Sequence, residues 1–339
     1  MALLLFRIAR ADRPRSCGRL LFPLSTANRT TENFASMKAL VTGGAGFIGS
    51  HLAEHLLADG WRVVVIDDLS NGFENNVPHE ADLVQGSAGD EVLLAKHLPG
   101  CAAVFHLAAV SSVIDSIERP FAAHDINLTN TLALLEAAVR HKVPRFVFSS
   151  SAAVYGDAGD GAIGEDAPKN PLSHYAVQKL ASEFYCSVYH RLRGLQAVCL
   201  RYFNVFGERQ RADSPYTGVI TKFLATAREG KPLTVYGDGT QSRDFVHVHD
   251  VAAANFAAAT KDSLAVAGRA FNVGTGRSVS VNELATMVTK KIPGCGQPVH
   301  QPPRAGEILH SLADIARARD TLAFDPHGSL GDFLAGGPV

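Results

Sequence analysis

The chain lacks an excess of either charge: 32 Lys and Arg stand against 33 Asp and Glu over 339 residues, a formal net charge of −1. No global field therefore draws it to nucleic acid or to an anionic membrane, and any anion must be held by local groups. Cysteine is sparse and unpatterned. Cys17, Cys101, Cys186, Cys199 and Cys295 show none of the paired spacings of a disulfide framework or a zinc site, so we expect reduced thiols, a cytoplasmic setting and no bound metal. No run is long enough for a membrane span, and the apolar stretch Ala2 to Phe6 is too short even for a signal-peptide core. Persistent periodicity is missing from the first thirty-six residues, where Arg7, Arg10, Arg13, Arg15, Arg19 and Arg29 face only Asp12 and Glu32. Arginine-rich, acid-poor leaders can be organelle-targeting segments. Met37 lies directly before the first β-prone run, however, and residues 1–36 are expected to be a disordered or dispensable extension.

What is present is a hydrophobic content of 46%, enough for a substantial core. The organising stretch runs from Met37 to Ser50. A short apolar strand, Lys38 to Thr42, breaks into glycines at 43, 46 and 49 and then into a helical pattern at Phe47, Ile48, Leu52, Leu56 and Leu57. Strand, glycine turn and helix in that order are the setting of a dinucleotide fingerprint: the glycines permit a sharp turn, a close approach by pyrophosphate and tight helix packing. The unpaired N–H groups of the helix's first turn would face the phosphates. A second strand, Arg62 to Ile66, ends at Asp67, eighteen residues beyond Gly49, where a carboxylate can accept both hydroxyls of an adenosine ribose and would repel a 2′-phosphate. NAD is the expected cofactor.

Further strands at Asp82–Gln85, Ala102–Ala109 and Arg145–Phe148 alternate with helical patterns, one of them through Asn127, Leu128, Leu132, Leu135 and Val139. This alternation predicts an α/β fold with a doubly wound parallel sheet and right-handed crossovers. Ligands in such sheets lie beyond the strands' carboxyl ends, which nominates Ser87 and Ala88 beside the adenine, and Leu107 with the small residues Ala108 and Ala109 beside the ribose and phosphate. Two histidine patterns invite a metal reading. His51-Leu52-Ala53-Glu54-His55 matches a zinc-protease helix, but it sits on the helix that serves the pyrophosphate and has no third ligand. His247 and His249 would share one face of a strand without a partner, and both pairs read as ordinary hydrogen-bonding histidines.

The chemical centre follows the strand at 145–148. Ser149-Ser150-Ser151 comes at its carboxyl end, and two dozen residues after Ser151 stand Tyr175 and Lys179, four apart and so on one helical face. A tyrosine of pKa about 10 is a poor base near pH 7; half-ionising it there takes ~4 kcal/mol of differential stabilisation. A neighbouring ammonium and a positive nicotinamide ring supply opposite charge, while Ser151 holds and polarises the reacting oxygen. The trio moves a proton and a hydride together from a carbinol, and can return them.

These motifs resemble an extended short-chain dehydrogenase/reductase of the NAD-dependent epimerase/dehydratase family, from Met37 to about Leu330. The resemblance implies a dinucleotide domain at 37–203 and a substrate lobe at 204–339, with part of about 243–260 returning to the first domain. It implies NAD contacts from Phe47, Ile48, Asn71, Asn127, Ser149 and Tyr202 beside the residues named above. In the lobe, Asn204 would meet a nucleotide-sugar diphosphate, Val219 and Tyr236 would flank uracil, Arg243 and Arg304 would pair with the diphosphate, and Glu307 would take the uridine ribose. Dehydratases and decarboxylases of this family carry an acidic residue two places before the Val-Tyr-Gly tyrosine. Ala152 and Ala153 stand there, so 4-epimerisation of a UDP-hexose is favoured. Ser311 falls at the position that walls the sugar pocket and is small, which implies room for UDP-N-acetylglucosamine; Ser112 could bond the acetamido or hexose hydroxyls. UDP-glucuronate epimerisation and an idle NAD-binding sensor are the rival readings. The resemblance also implies a homodimer through the helices at Leu132–Val139 and Tyr175–Val188, and a final helix shortened or lost after Pro326.

Overall fold

A computed structural model of the chain describes residues 37–211, 218–303 and 308–336. The extension 1–36 and the nominated Arg304 and Glu307 lie outside the described residues.

The first half alternates strand and helix: β1 (Lys38–Thr42), α1 (Phe47–Ala58), β2 (Arg62–Asp67), β3 (Asp82–Gln85), α2 (Glu91–His97) and β4 (Cys101–His106). There follow α3 (Val113–Glu118), α4 (Pro120–His124), α5 (Asn130–Arg140), β5 (Arg145–Ser151), β6 (Ala162–Ile163), α6 (His174–Arg193) and β7 (Gln196–Tyr202). The second half contains β8 (Asn204–Phe206), α7 (Val219–Arg228), β9 (Thr234–Tyr236), β10 (Ser242–His247), α8 (Val248–Thr260) and α9 (Ser263–Val266). It ends with β11 (Ala270–Val273), β12 (Ser278–Ser280), α10 (Val281–Lys291), β13 (Val299–Gln301), β14 (His310–Ala313), α11 (Ala316–Leu322) and α12 (Leu330–Gly336).

Seven strands form one parallel sheet in the order β11-β7-β5-β4-β1-β2-β3. Strand order reverses between β1 and β4, which opens a crevice at their carboxyl ends, the place where open α/β sheets bind ligands. The central strands are buried on both faces, as their unbroken Val, Ile, Ala and Phe runs require. One core lies between the sheet and α1 with α8, where Leu52, Leu56, Val63, Val65, Phe105 and Val251 are sealed from solvent. The other, on the opposite face, joins Leu40, Val104, Leu134, Leu135, Phe146 and Phe148. Each such side chain contributes roughly 1.5–3 kcal/mol on burial, and together they hold the carboxyl-end loops at fixed heights.

The second half is divided between two cores. Strand β11 edges the large sheet beside β7, and α8 packs on α1. The remainder builds a smaller sheet, β12-β10-β14-β6 with β8 also pairing β10, over a core of Phe206, Phe223, Leu224, Leu284 and Val288. Three expectations need adjustment. Strand β4 stops at His106, so Leu107–Ala109 form a loop beyond it. Asp125–Thr129 is a π-helical turn ahead of α5, a form that recurs where a side chain is re-aimed at a functional site. His247 closes β10 and His249 begins the second residue of α8, so the rings do not alternate on a strand but stack, with centroids 5.1 Å apart. The final helix survives as seven residues, with Leu330, Phe333 and Leu334 buried in the smaller core.

Candidate active site

The crevice is built from the ends of β1, β2, β4 and β5 and the first turn of α6. Every residue nominated for the cofactor except Asn127 lines one cavity of about 260 Å³. Its floor is the glycine turn. Gly43 has φ +74°, and a Cβ there would lie 2.6 Å from the Ala108 amide nitrogen; a Cβ on Gly49 would lie 2.1 Å from the Gly43 carbonyl oxygen. The first turn of α1 has neither a side-chain cap nor an acidic residue, which leaves its amides for an anion. At the end of β2 the Asp67 carboxylate accepts from the amides of Ala45 and Leu69, each at 2.9 Å. Burial pushes this carboxyl upward against those two bonds.

Asn127 acts one step back. It accepts from the Val110 amide at 2.7 Å and donates to the Val110 carbonyl and to Gln178 Oε1, so the π-helical turn pins the loop after β4 to α6. On α6, Lys179 donates to the Ser149 carbonyl at 2.7 Å, and its Nζ lies 5.8 Å from the centre of the Tyr175 ring. Burial raises Tyr175 above its ordinary range while a hydrogen bond with Ser151 acts the other way. Burial also lowers Lys179 to about 8, with Cys186 and Glu183 opposing. Tyr202 bonds to Ser149 Oγ and Asn255 Oδ1, both at 2.9 Å.

The nucleotide-turn residues, Asp67, Tyr175 and Lys179 thus share one crevice, and a family comparison decides what it is. The model of the NAD dependent epimerase/dehydratase family matches residues 39–274. The chain belongs to that family. A UDP-glucose 4-epimerase of Mycolicibacterium smegmatis is 37% identical over 310 residues, covering 88% of this chain and 96% of the relative. Among solved structures, the Thermotoga maritima UDP-glucose 4-epimerase with UDP-glucose superposes with a TM-score of 0.83 at 35% identity, covering 88% of this chain and 96% of that one. The Methanobrevibacter ruminantium UDP-N-acetylglucosamine 4-epimerase, in complex with UDP-N-acetylmuramic acid, gives 0.82 at 36%, covering 88% and 95%. The cofactor of this epimerase/dehydratase chain is NAD. The residues present fit it, because the turn packs so tightly that only glycine fits at 43 and 49, the first turn of α1 leaves its amides uncapped, and Asp67 terminates β2 beside it.

In this family member the residues expected to meet the substrate fall on separate elements. Arg243 and Ser311 are register partners on β10 and β14, and Asn204 pairs with Phe245 two residues along β10. Val219 opens α7 and Tyr236 ends β9, which belongs to a two-stranded sheet with β13. None of these five lines the cavity that holds Tyr175 and Lys179. Ser112 caps α3 and lines an adjoining cavity of about 440 Å³.

Two supports of the site escaped the sequence reading. His106 is buried with Nδ1 2.7 Å from Thr42 Oγ1 and Nε2 2.8 Å from Thr131 Oγ1. Thr131 donates to the Asn127 carbonyl, so it accepts from Nε2–H, and burial together with Lys179 lowers His106 to about 3. It is a neutral spacer between β1 and α5. Glu183, one turn beyond Lys179, accepts from Ser150 at 2.5 Å and from Arg201 at 2.8 and 2.6 Å. Burial opposes the charge on Arg201, but the bonds to Glu183 outweigh it and hold the guanidinium protonated. Successive turns of α6 are thereby fastened to successive residues of β5. The repeat Tyr175, Lys179, Glu183 was a readable signal of this.

The depressed Lys179 sets a pH prediction. In the role expected of it, the Lys179 ammonium supports Tyr175 only below about pH 8, so kcat should fall as pH rises through that value. Lys179→Arg, which stays charged, should remove this alkaline limb at the cost of a lower plateau; a pH–rate profile of both proteins reads the difference. For stability the sign is opposite. The folded chain releases this proton before the unfolded one does, so the cost of burying the charge is borne below about pH 8 and relieved between there and about 10.5.

Proposed function

We propose that the protein is an isomerase that inverts C4 of a UDP-hexose, including UDP-N-acetylhexosamines, and that it works as a homodimer. The observation that carries the reading is Tyr175 and Lys179 lining the NAD crevice, with Ser151 hydrogen-bonded to Tyr175 and alanine at 152 and 153, the place from which a carboxylate would drive elimination. When bound, NAD accepts the C4 hydride and gives it back. Tyr175 as phenolate takes the O4 proton while the hydride departs, leaving a 4-keto sugar. Ser151 holds the reacting oxygen. The keto sugar turns within the pocket, the hydride returns to the opposite face, and Tyr175 returns its proton to O4. Arg243, Arg304, Asn204 and Glu307 would anchor the nucleotide while the sugar turns, Arg through its rigid fork of donors. Support also comes from the 4-epimerase names of the relatives and of the superposing structures.

The test is to incubate the purified protein, with no added cofactor, with UDP-N-acetylglucosamine and with UDP-glucose in separate reactions and to resolve the 4-epimers by chromatography. Conversion of both is expected. If neither turns over even with NAD⁺ supplied, the reading fails and UDP-glucuronate is the next substrate to try. Ser311→Tyr should cut kcat/KM for the N-acetylated sugar by about 100-fold while changing that for UDP-glucose by less than about threefold, because bulk at that wall excludes only the acetamido group. Apolar Val177, Phe184 and Val188 are exposed along α6, consistent with a partner on that face, and light scattering should give twice the chain mass of 36.1 kDa.

A further inference from the structure

Over the glycine turn lie two further layers of chain that the reaction does not explain. The first is the loop after β2. Gly72 is packed so closely on Ala45 that a Cβ would lie 2.7 Å from its carbonyl carbon, the Phe73 amide donates to the Ala45 carbonyl at 3.0 Å, and Asn76 Nδ2 donates to the same oxygen at 3.0 Å. The second is the segment Glu208–Arg211, which leaves β8 and has Arg209 at φ +64°. Arg209 donates to the Asn76 carbonyl at 3.2 Å, to Glu54 on α1 at 2.5 Å and toward His51 Nδ1 at 3.0 Å. Arg211 donates to the Asn71 carbonyl at 3.4 Å and to Asn71 Oδ1 at 3.0 Å, and its guanidinium sits 5.1 Å from the centre of the Phe73 ring.

We infer that Arg209 and Arg211 form a strap that holds the 70–76 loop down on the glycine turn and thereby retains NAD between turnovers. Asn71 and Gly72 line the cofactor cavity, and Arg209, Gln210 and Arg211 wall the adjoining cavity, which shares Gly46 and Phe47 with it. To leave, a dinucleotide lying along the turn has to lift the loop, and lifting the loop breaks the bonds that both arginines make to it. The strap begins four residues after Asn204, so the element that keeps the cofactor is continuous with the one that meets the substrate lobe. A cofactor that returns its hydride to the sugar that gave it gains nothing by exchanging, which is the chemical use of such a strap. Both arginines are positioning residues: they act through the loop.

The inference rests on NAD as cofactor and holds whichever sugar is the substrate. Purified full-length protein, loaded with NAD⁺ and freed of excess, is mixed with an NAD-consuming trap, and protein-bound NAD is measured against time after acid release. Arg211→Ala is the main variant, Arg209→Ala the second, and Arg228→Ala, an exposed arginine at the end of α7, the charge-matched control. Removing the bonds of one guanidinium is expected to speed NAD loss at least about tenfold in Arg211→Ala and more in Arg209→Ala, with the control unchanged. At saturating NAD⁺ the kcat of Arg211→Ala should stay within about twofold of the parent and its KM for the UDP-sugar likewise. An unchanged rate of NAD loss in both variants overturns the proposal. So does equal acceleration in Arg228→Ala, or a loss of kcat that saturating NAD⁺ does not restore.

Discussion

Tyr175→Phe is expected to lower kcat by about 10³-fold or more while leaving bound NAD and the melting temperature close to those of the parent. The variant keeps the ring and removes one oxygen, so packing beside Lys179 and Ser151 survives and only the proposed proton carrier is lost. General acid–base catalysis contributes about 10²–10⁴-fold, and in the proposed reaction one group serves both directions. The effect is large because the site starts from an unfavourable position. Burial raises the Tyr175 phenol above its ordinary range, so the opposite charges of the Lys179 ammonium and a bound nicotinamide must overcome that as well as the ~4 kcal/mol separating pKa 10 from pH 7. Retention of more than about a tenth of the parent rate would show that another group moves the proton.

Gly49→Ala should abolish NAD binding and lower thermal stability, with no detectable cofactor in the purified protein. Two effects compete. Alanine is preferred over glycine inside a helix by about 1 kcal/mol, which would stabilise α1. The added Cβ, however, would stand 2.1 Å from the Gly43 carbonyl oxygen and 2.8 Å from the Gly44 Cα. These are backbone atoms of the turn itself and have no rotamer to yield; overpacking against movable side chains already costs about 1–3 kcal/mol. The turn must therefore open, and the amides that would meet the pyrophosphate move with it. Gly161→Ala is the matched control, since a Cβ there meets nothing within 4 Å. Calorimetry and the NAD content of the two variants decide the matter. A Gly49→Ala protein that holds NAD normally would remove the cradle from the account.

Much of the site was legible because its signals are local. Gly43, Gly46 and Gly49 stand within one turn, Asp67 ends the next strand, and Tyr175 and Lys179 share a helix face, so spacing along the chain already fixes distance in space. The strand-ending residues Ser87, Ala88, Leu107, Ala108 and Ala109 were readable for a similar reason, because a parallel sheet delivers all its carboxyl ends to one side. The π-helical turn at Asp125–Thr129 was not readable, since its departure from α-helix follows from what Asn127 reaches, namely Val110 and Gln178. The stacking of His247 on His249 was misjudged because the strand ends between them, a boundary set by the end of pairing with β8 at Phe206.

Sequence alone sets the parallel sheet, the nucleotide turn, the cofactor class and the candidate trio Ser151, Tyr175 and Lys179, because each depends on residue type at short spacing and on apolar strand runs alternating with helical patterns of period 3.6. Tertiary structure alone decides which distant residues support them. Glu183 joins Arg201 across eighteen positions, Thr42 meets His106 across sixty-four, and Arg211 reaches Asn71 across one hundred and forty. Buried polar groups must find partners, and the chain supplies them from wherever the packed elements bring one within hydrogen-bond reach, which no local pattern encodes.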